Sequence, residues 1–91
     1  MQQTISIIVS GKVQGVYYRQ STKQKAVELN ISGEIKNMPD GSVAIKATGT
    51  KEQLDDFVQW CRQGPKGAVV TGVEVQEIPL QLFSHFTIIS F

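Results

Sequence analysis

The apolar residues of this chain keep two different periods, and the order in which those periods alternate admits few folds. Ile5, Ile7 and Val9 alternate with Thr4, Ser6 and Ser10, the period of a half-buried strand over 4–10. From Tyr18 to Leu29 the spacing becomes helical. Tyr18, Thr22, Ala26 and Leu29 share one face, while Gln20, Lys23, Gln24 and Glu28 share the other. Asn30 follows, a residue type that tolerates left-handed backbone just past a helix end. Strand-like runs return over 31–38 and 42–48, the second alternating through Val43, Ile45 and Ala47. Pro39, Asp40 and Gly41 between them predict a hairpin turn.

Thr50 opens a second helix. With Gln53 three residues on it fits a capping box, and Leu54, Phe57, Val58 and Cys61 mark the buried face. Gly64, Pro65 and Gly67 end it. A fourth strand is expected over 69–78, with Val73 and Val75 pointing inward, and a short fifth over 86–90. The order is β-α-β-β-α-β with one extra terminal strand. Two helices cannot cover both faces of such a sheet. The economical arrangement puts both on one face, giving an α+β, ferredoxin-like two-layer sandwich with a mostly antiparallel sheet. A length of 91 residues suits a single domain, 1–91. Many functions use that fold, so chemistry has to be sought in particular residues.

Composition narrows the classes. A formal net charge of +1 does not mark a nucleic-acid surface. The first and third strands carry Ile, Val, Ser and Ala where an RNA-binding sheet would carry aromatics, so Trp60, Tyr17 and Tyr18 predict no nucleic-acid partner. No apolar run approaches the length of a membrane span, and no basic-then-apolar signal opens the chain, so no membrane partner is expected. One cysteine, Cys61, forms no internal disulfide, and the cytoplasm is the expected setting. His85 is the single histidine and reads as an exposed turn residue. No pair of His, Cys or clustered acids has ligand spacing, so neither a metal nor a cofactor is expected. No nucleophile motif accompanies His85. Asp55 and Asp56 lie in the first turns of the second helix, where they suit its dipole rather than acid–base work.

One stretch remains, GKVQGVYYR over 11–19, where the first strand hands over to the first helix. Gly15 can take positive φ, and successive backbone N–H groups around it can curl into an anion nest. The helix start adds unpaired N–H groups. Arg19 sits near that start, where the dipole does not favour a cation, and its planar fork suits phosphate oxygens. By pattern alone two readings stand: a glycine turn with a surface arginine, or a cradle for an anion.

The stretch resembles the signature of the acylphosphatase family, approximately G-x-V-Q-G-V-x-[FY]-R, through Gly11, Val13, Gln14, Gly15, Val16, Tyr18 and Arg19. SGEIKNMPDGSV resembles the family's second motif through Gly33, Asn37, Pro39, Asp40, Gly41 and Val43, and GPKGAVVTGVEV resembles the segment after its second helix. The resemblance implies a monomer that hydrolyses the carboxyl-phosphate bond of acyl phosphates with no metal or cofactor. Inorganic phosphate would be product or competitive inhibitor. It implies that the amides of Gln14, Gly15, Val16, Tyr17, Tyr18 and Arg19, with the Arg19 guanidinium, bind the phosphoryl group, and that Asn37 positions the attacking water. An acylphosphatase-like module that binds an anion or partner and turns over poorly is the alternative. Having both Arg19 and Asn37 favours the enzyme.

Some positions depart from the family pattern. Glu34 stands where an aromatic or apolar residue is usual, Lys36 where Arg is frequent, and Asn30 where Gly is frequent. Ile89 and Ser90 stand where a basic residue is usual near the end of the last strand. Strand alternation sets Asn37 on the face of Gly33 and Ile35, and Glu34 with Lys36 on the other.

Overall fold

The computed structural model describes residues 1–89; the expected end of the last strand, Ser90, lies outside the described residues. The elements are β1 (Gln2–Lys12), α1 (Tyr18–Glu28), β2 (Ser32–Asn37), β3 (Val43–Thr50), α2 (Lys51–Gln63), β4 (Val69–Ile78) and β5 (Phe86–Ile88). The sheet order is β4-β1-β3-β2-β5, antiparallel throughout except that β5 runs parallel to β2. Both helices pack on the face that carries Ile5, Ile7, Val9, Ile35, Ile45 and Ala47, and this one layer contact is the core. The expected two-layer α+β sandwich is the observed fold.

Local chemistry explains where elements stop. Thr50 caps α2 through a complete box. Its hydroxyl accepts from the Gln53 amide at 3.2 Å, and the Gln53 side chain accepts from the Thr50 amide at 2.8 Å. At the end of α1, Asn30 turns left-handed at φ 58. The Asn30 amide donates to Val27 O and the Ile31 amide to Ala26 O, which completes a Schellman cap. In the hairpin, Asp40 Oδ1 accepts from the Ser42 amide at 2.9 Å and its hydroxyl at 2.6 Å. Those bonds hold the Asp40 carboxyl below its ordinary pKa.

The structure corrects several boundaries. β1 runs on to Lys12 instead of ending at Ser10, because Gly11 and Lys12 still pair with Val70 and Val69 beyond a register shift. Gly11 therefore belongs to the sheet and not to the loop. Val73 and Val75 lie opposite Val9 and Ile7 and so share the inward face. Val75 is nonetheless 43% exposed, on a strand that lies at the edge of the sheet.

The link between β4 and β5 crosses from one edge of the sheet to the other. It is tied to the sheet by a buried pair of threonines. Thr4 and Thr48 hydroxyls lie 2.7 Å apart, and both reach Gln81, whose amide donates back to Thr4 at 2.9 Å.

Gly33 shows what the close pairing of β2 demands. A Cβ there would stand 1.9 Å from the Lys46 carbonyl oxygen, and φ is +154. Gly33→Ala should lower stability by at least ~3 kcal/mol, because backbone has to move at a strained site. A urea midpoint equal to wild type would contradict the described register of β2 on β3.

Candidate active site

The chain leaves β1 at Lys12 and reaches α1 at Tyr18 through five residues. Val13, the first of them, is buried. Gly15 takes φ 75 with open space where a Cβ would be, so glycine is required there for its backbone and not for room. Tyr17, the residue before α1, also takes left-handed backbone at φ 60, ψ 25. A bulky residue at positive φ is uncommon, and such strain gathers at functional sites. Its side chain is 77% exposed and caps nothing, so the first amides of α1 stay unpaired by it.

Tyr18 is buried and fixes the start of the helix. Its ring lies 5.8 Å from that of Trp60, centroid to centroid, and its hydroxyl donates to the Cys61 carbonyl at 2.8 Å. Burial pushes the phenol well above its usual range and the Cys61 thiol up to about 12. Both stay neutral near pH 7, so neither is an acid–base catalyst or a thiolate nucleophile.

Gln14 turns its side chain away from the loop. Its Nε2 donates to Met38 O and to Ser42 O, both at 2.9 Å.

Val13, Gly15, Tyr17, Tyr18, Arg19, Gln20, Asn37 and Ile88 enclose a cavity of about 490 Å³. Arg19, in the first turn of α1, is half-buried in its wall and makes no ion pair or hydrogen bond among the described residues. Asn37, the last residue of β2, lines it from the sheet, and its Oδ1 is buried with no hydrogen-bond partner among the described residues. Among the described residues no acidic side chain lines this space. Glu34 lines a separate depression with Lys36 and Lys46, as expected from strand alternation, and lies opposite Lys46 in the ladder. Among the described residues no cluster of three or more His, Cys, Asp or Glu is placed to hold a metal ion.

Five of the seven residues named from the sequence, Gly15, Tyr17, Tyr18, Arg19 and Asn37, thus meet in one cavity, while Gln14 and Val16 do not line it. Val13, Gln20 and Ile88 complete the wall without having been singled out. Val13 carried a signal in its match to the loop motif. Ile88 carried none, because its approach depends on β5 pairing beside β2.

The cavity thus brings together a buried Asn37 Oδ1 and an Arg19 guanidinium, each without a partner among the described residues, and a left-handed residue at a helix start. The acylphosphatase family model matches residues 5–88. An acylphosphatase of Marinobacter nauticus is 53% identical over 81 residues, covering 88% of each chain. Among solved structures, an acylphosphatase from Coxiella burnetii superposes with a TM-score of 0.93 at 37% identity, over 96% of this chain and 92% of that one. One from Bacillus subtilis gives 0.94 at 34% identity, over 99% of this chain and 100% of that one. The chain belongs to the acylphosphatase family. Its 11–19 loop and the strand end at Asn37 supply residues to one cavity.

Proposed function

We propose that this cavity hydrolyses acyl phosphates at the carboxyl-phosphate bond, with the phosphoryl group held by the loop amides and Arg19 and the water held by Asn37. The observation that carries the assignment is that Arg19 and Asn37 Oδ1, each without a partner among the described residues, line one cavity. The reaction passes through a loose transition state with charge spread over the equatorial oxygens of phosphorus. Amides of residues 14–19 and the two-pronged guanidinium are donors aimed in advance at those oxygens. A carboxylate leaves readily, so no strong protein acid is needed, and among the described residues the cavity wall carries no acidic side chain.

Asn37 is an amide and does not take a proton at neutral pH. Its Oδ1 accepts a hydrogen bond from the water and holds the oxygen in line with the bond that breaks. The water oxygen bonds to phosphorus, the phosphorus–oxygen bond to the acyl group breaks, and the bonding pair leaves with the carboxylate. One water proton passes to a phosphate oxygen, so an acyl phosphate dianion and water give carboxylate and dihydrogen phosphate. Inorganic phosphate fits the same donors and should inhibit competitively. The enzyme acts as a monomer on a small molecule, and its buried free Cys61 suits the cytoplasm. Among the described residues no helix is long and apolar enough to cross a membrane.

The deciding assay is hydrolysis of benzoyl phosphate with a chelator present. Turnover far above the uncatalysed rate, inhibited by phosphate, is the expected result. Phosphate binding with only background hydrolysis would replace the enzyme with an anion-binding module.

A further inference from the structure

We propose that the Gln14 side chain is a positioning residue that sets the distance between the phosphate loop and Asn37, an inference that rests on the acyl-phosphate reading of the cavity. Catalysis there needs two halves in register. One half is the 14–19 loop with Arg19, and the other is Asn37 at the end of β2. They belong to segments about twenty residues apart in sequence. Gln14 immediately precedes Gly15, where the loop turns left-handed. Met38 immediately follows Asn37. The Gln14 carboxamide spends both of its N–H donors on the mouth of the hairpin, one on Met38 O and one on Ser42 O, each at 2.9 Å.

The chemistry of those acceptors fixes the amide's orientation, since the oxygen end of a carboxamide cannot face two carbonyls. Each carbonyl already has a donor from the hairpin itself. Met38 O accepts from the Gly41 amide at 3.1 Å, and Ser42 O from the Met38 amide at 2.8 Å. Gln14 is therefore not needed to satisfy the turn, which closes on its own bonds and on Asp40. What its two bonds add is a rigid strut from the loop to the hairpin. The loop's other anchors, Val13 and Tyr18, bind it to the core and to α2, so the phosphate donors stay seated without the strut. The quantity left unset is the line from water to phosphorus, to which rate is steeply sensitive.

The test is Gln14→Met, which keeps length and bulk but removes both donors, with Gln14→Ala as a second variant. Both should lower kcat about tenfold to a hundredfold. The inhibition constant for inorganic phosphate should change less than about threefold, because the phosphate donors are untouched. The discriminating measurement is a cycle with Asn37→Ala. Once the water-holding amide is gone there is nothing to position, and adding Gln14→Met should cost less than about twofold more. Losses that multiply in full, a phosphate constant that weakens in step with kcat, or a wild-type kcat in both single variants would each overturn the inference. A wild-type protein that binds phosphate without turnover would instead remove the reading beneath it. Phosphate binding by each variant shows that it has folded.

Discussion

Arg19→Ala should lose at least about 10³-fold in kcat/KM for an acyl phosphate and most of its inhibition by inorganic phosphate. The guanidinium is the single cation among the residues enclosing the cavity, and among the described residues nothing pairs with it. Charge-assisted, two-pronged bonds to phosphoryl oxygens are worth more in a half-buried wall than in water, and arginines aimed at a transferring phosphoryl group contribute about 10³- to 10⁵-fold. Arg19→Lys should recover part of the phosphate binding and little of the rate, since an ammonium keeps the charge but not the fork.

Folding should not suffer. Arg19 lies in the first turn of α1, where a cation opposes the helix dipole, and among the described residues it has no partner to lose. The alanine variant should melt at or slightly above the wild-type temperature. An inactive variant that is also strongly destabilised would show that Arg19 serves the fold, and the site assignment would then fail.

The second large effect is expected at Asn37. Asn37→Ala should lower kcat by about 10²- to 10³-fold, the usual loss on removing one preorganised polar group from a reacting centre. The inhibition constant for phosphate should stay close to wild type, since Asn37 acts on water and not on the phosphoryl oxygens. This split between rate and binding is opposite in character to that of Arg19→Ala, where binding falls too. Stability again points the same way. The Oδ1 of Asn37 is buried without a partner among the described residues, so alanine removes an unsatisfied acceptor and should cost nothing on folding. Equal losses of rate and of phosphate binding would move Asn37 from the water to the phosphate. Steady-state kinetics with phosphate as inhibitor, beside thermal melts, measures both variants.

Both residues lack partners among the described residues, which supports the proposal that they are held for a ligand. Structural polar groups in the same molecule look different. Thr4 and Thr48 bond each other and Gln81, and Asp40 is matched by two donors of Ser42. Tyr17, at the cavity wall, is held in left-handed backbone. The fold supplies the support: Tyr18 fastens the loop to α2, and β2 carries Asn37 to the sheet's end.

Much of this was legible before any coordinates, and for local reasons. The alternation of Ile5, Ile7 and Val9, the capping box of Thr50 and Gln53, the turn at Asp40 and Gly41, and the left-handed Asn30 are all decided by residues within a few positions of one another. Strand parity alone separated Asn37 from Glu34. The loop and hairpin motifs named Arg19 and Asn37 through resemblance, not through spacing.

Long-range pairing decided the rest, because its energy depends on partners that local pattern does not reveal. Val75 is exposed on the edge strand β4 although its face is inward. The crossing of the link between β4 and β5 to the far edge, tied down at Gln81, brought Ile88 into the cavity wall. Continued pairing drew Gly11 into β1. The Gln14 strut is of the same kind, since a glutamine in a loop has many possible partners and only the packed chain presents two carbonyls to it. The amino-acid order by itself determined the elements and the face each residue occupies, through contacts within one turn or one strand. Tertiary structure alone decided which edges meet, and so which loop faces Asn37.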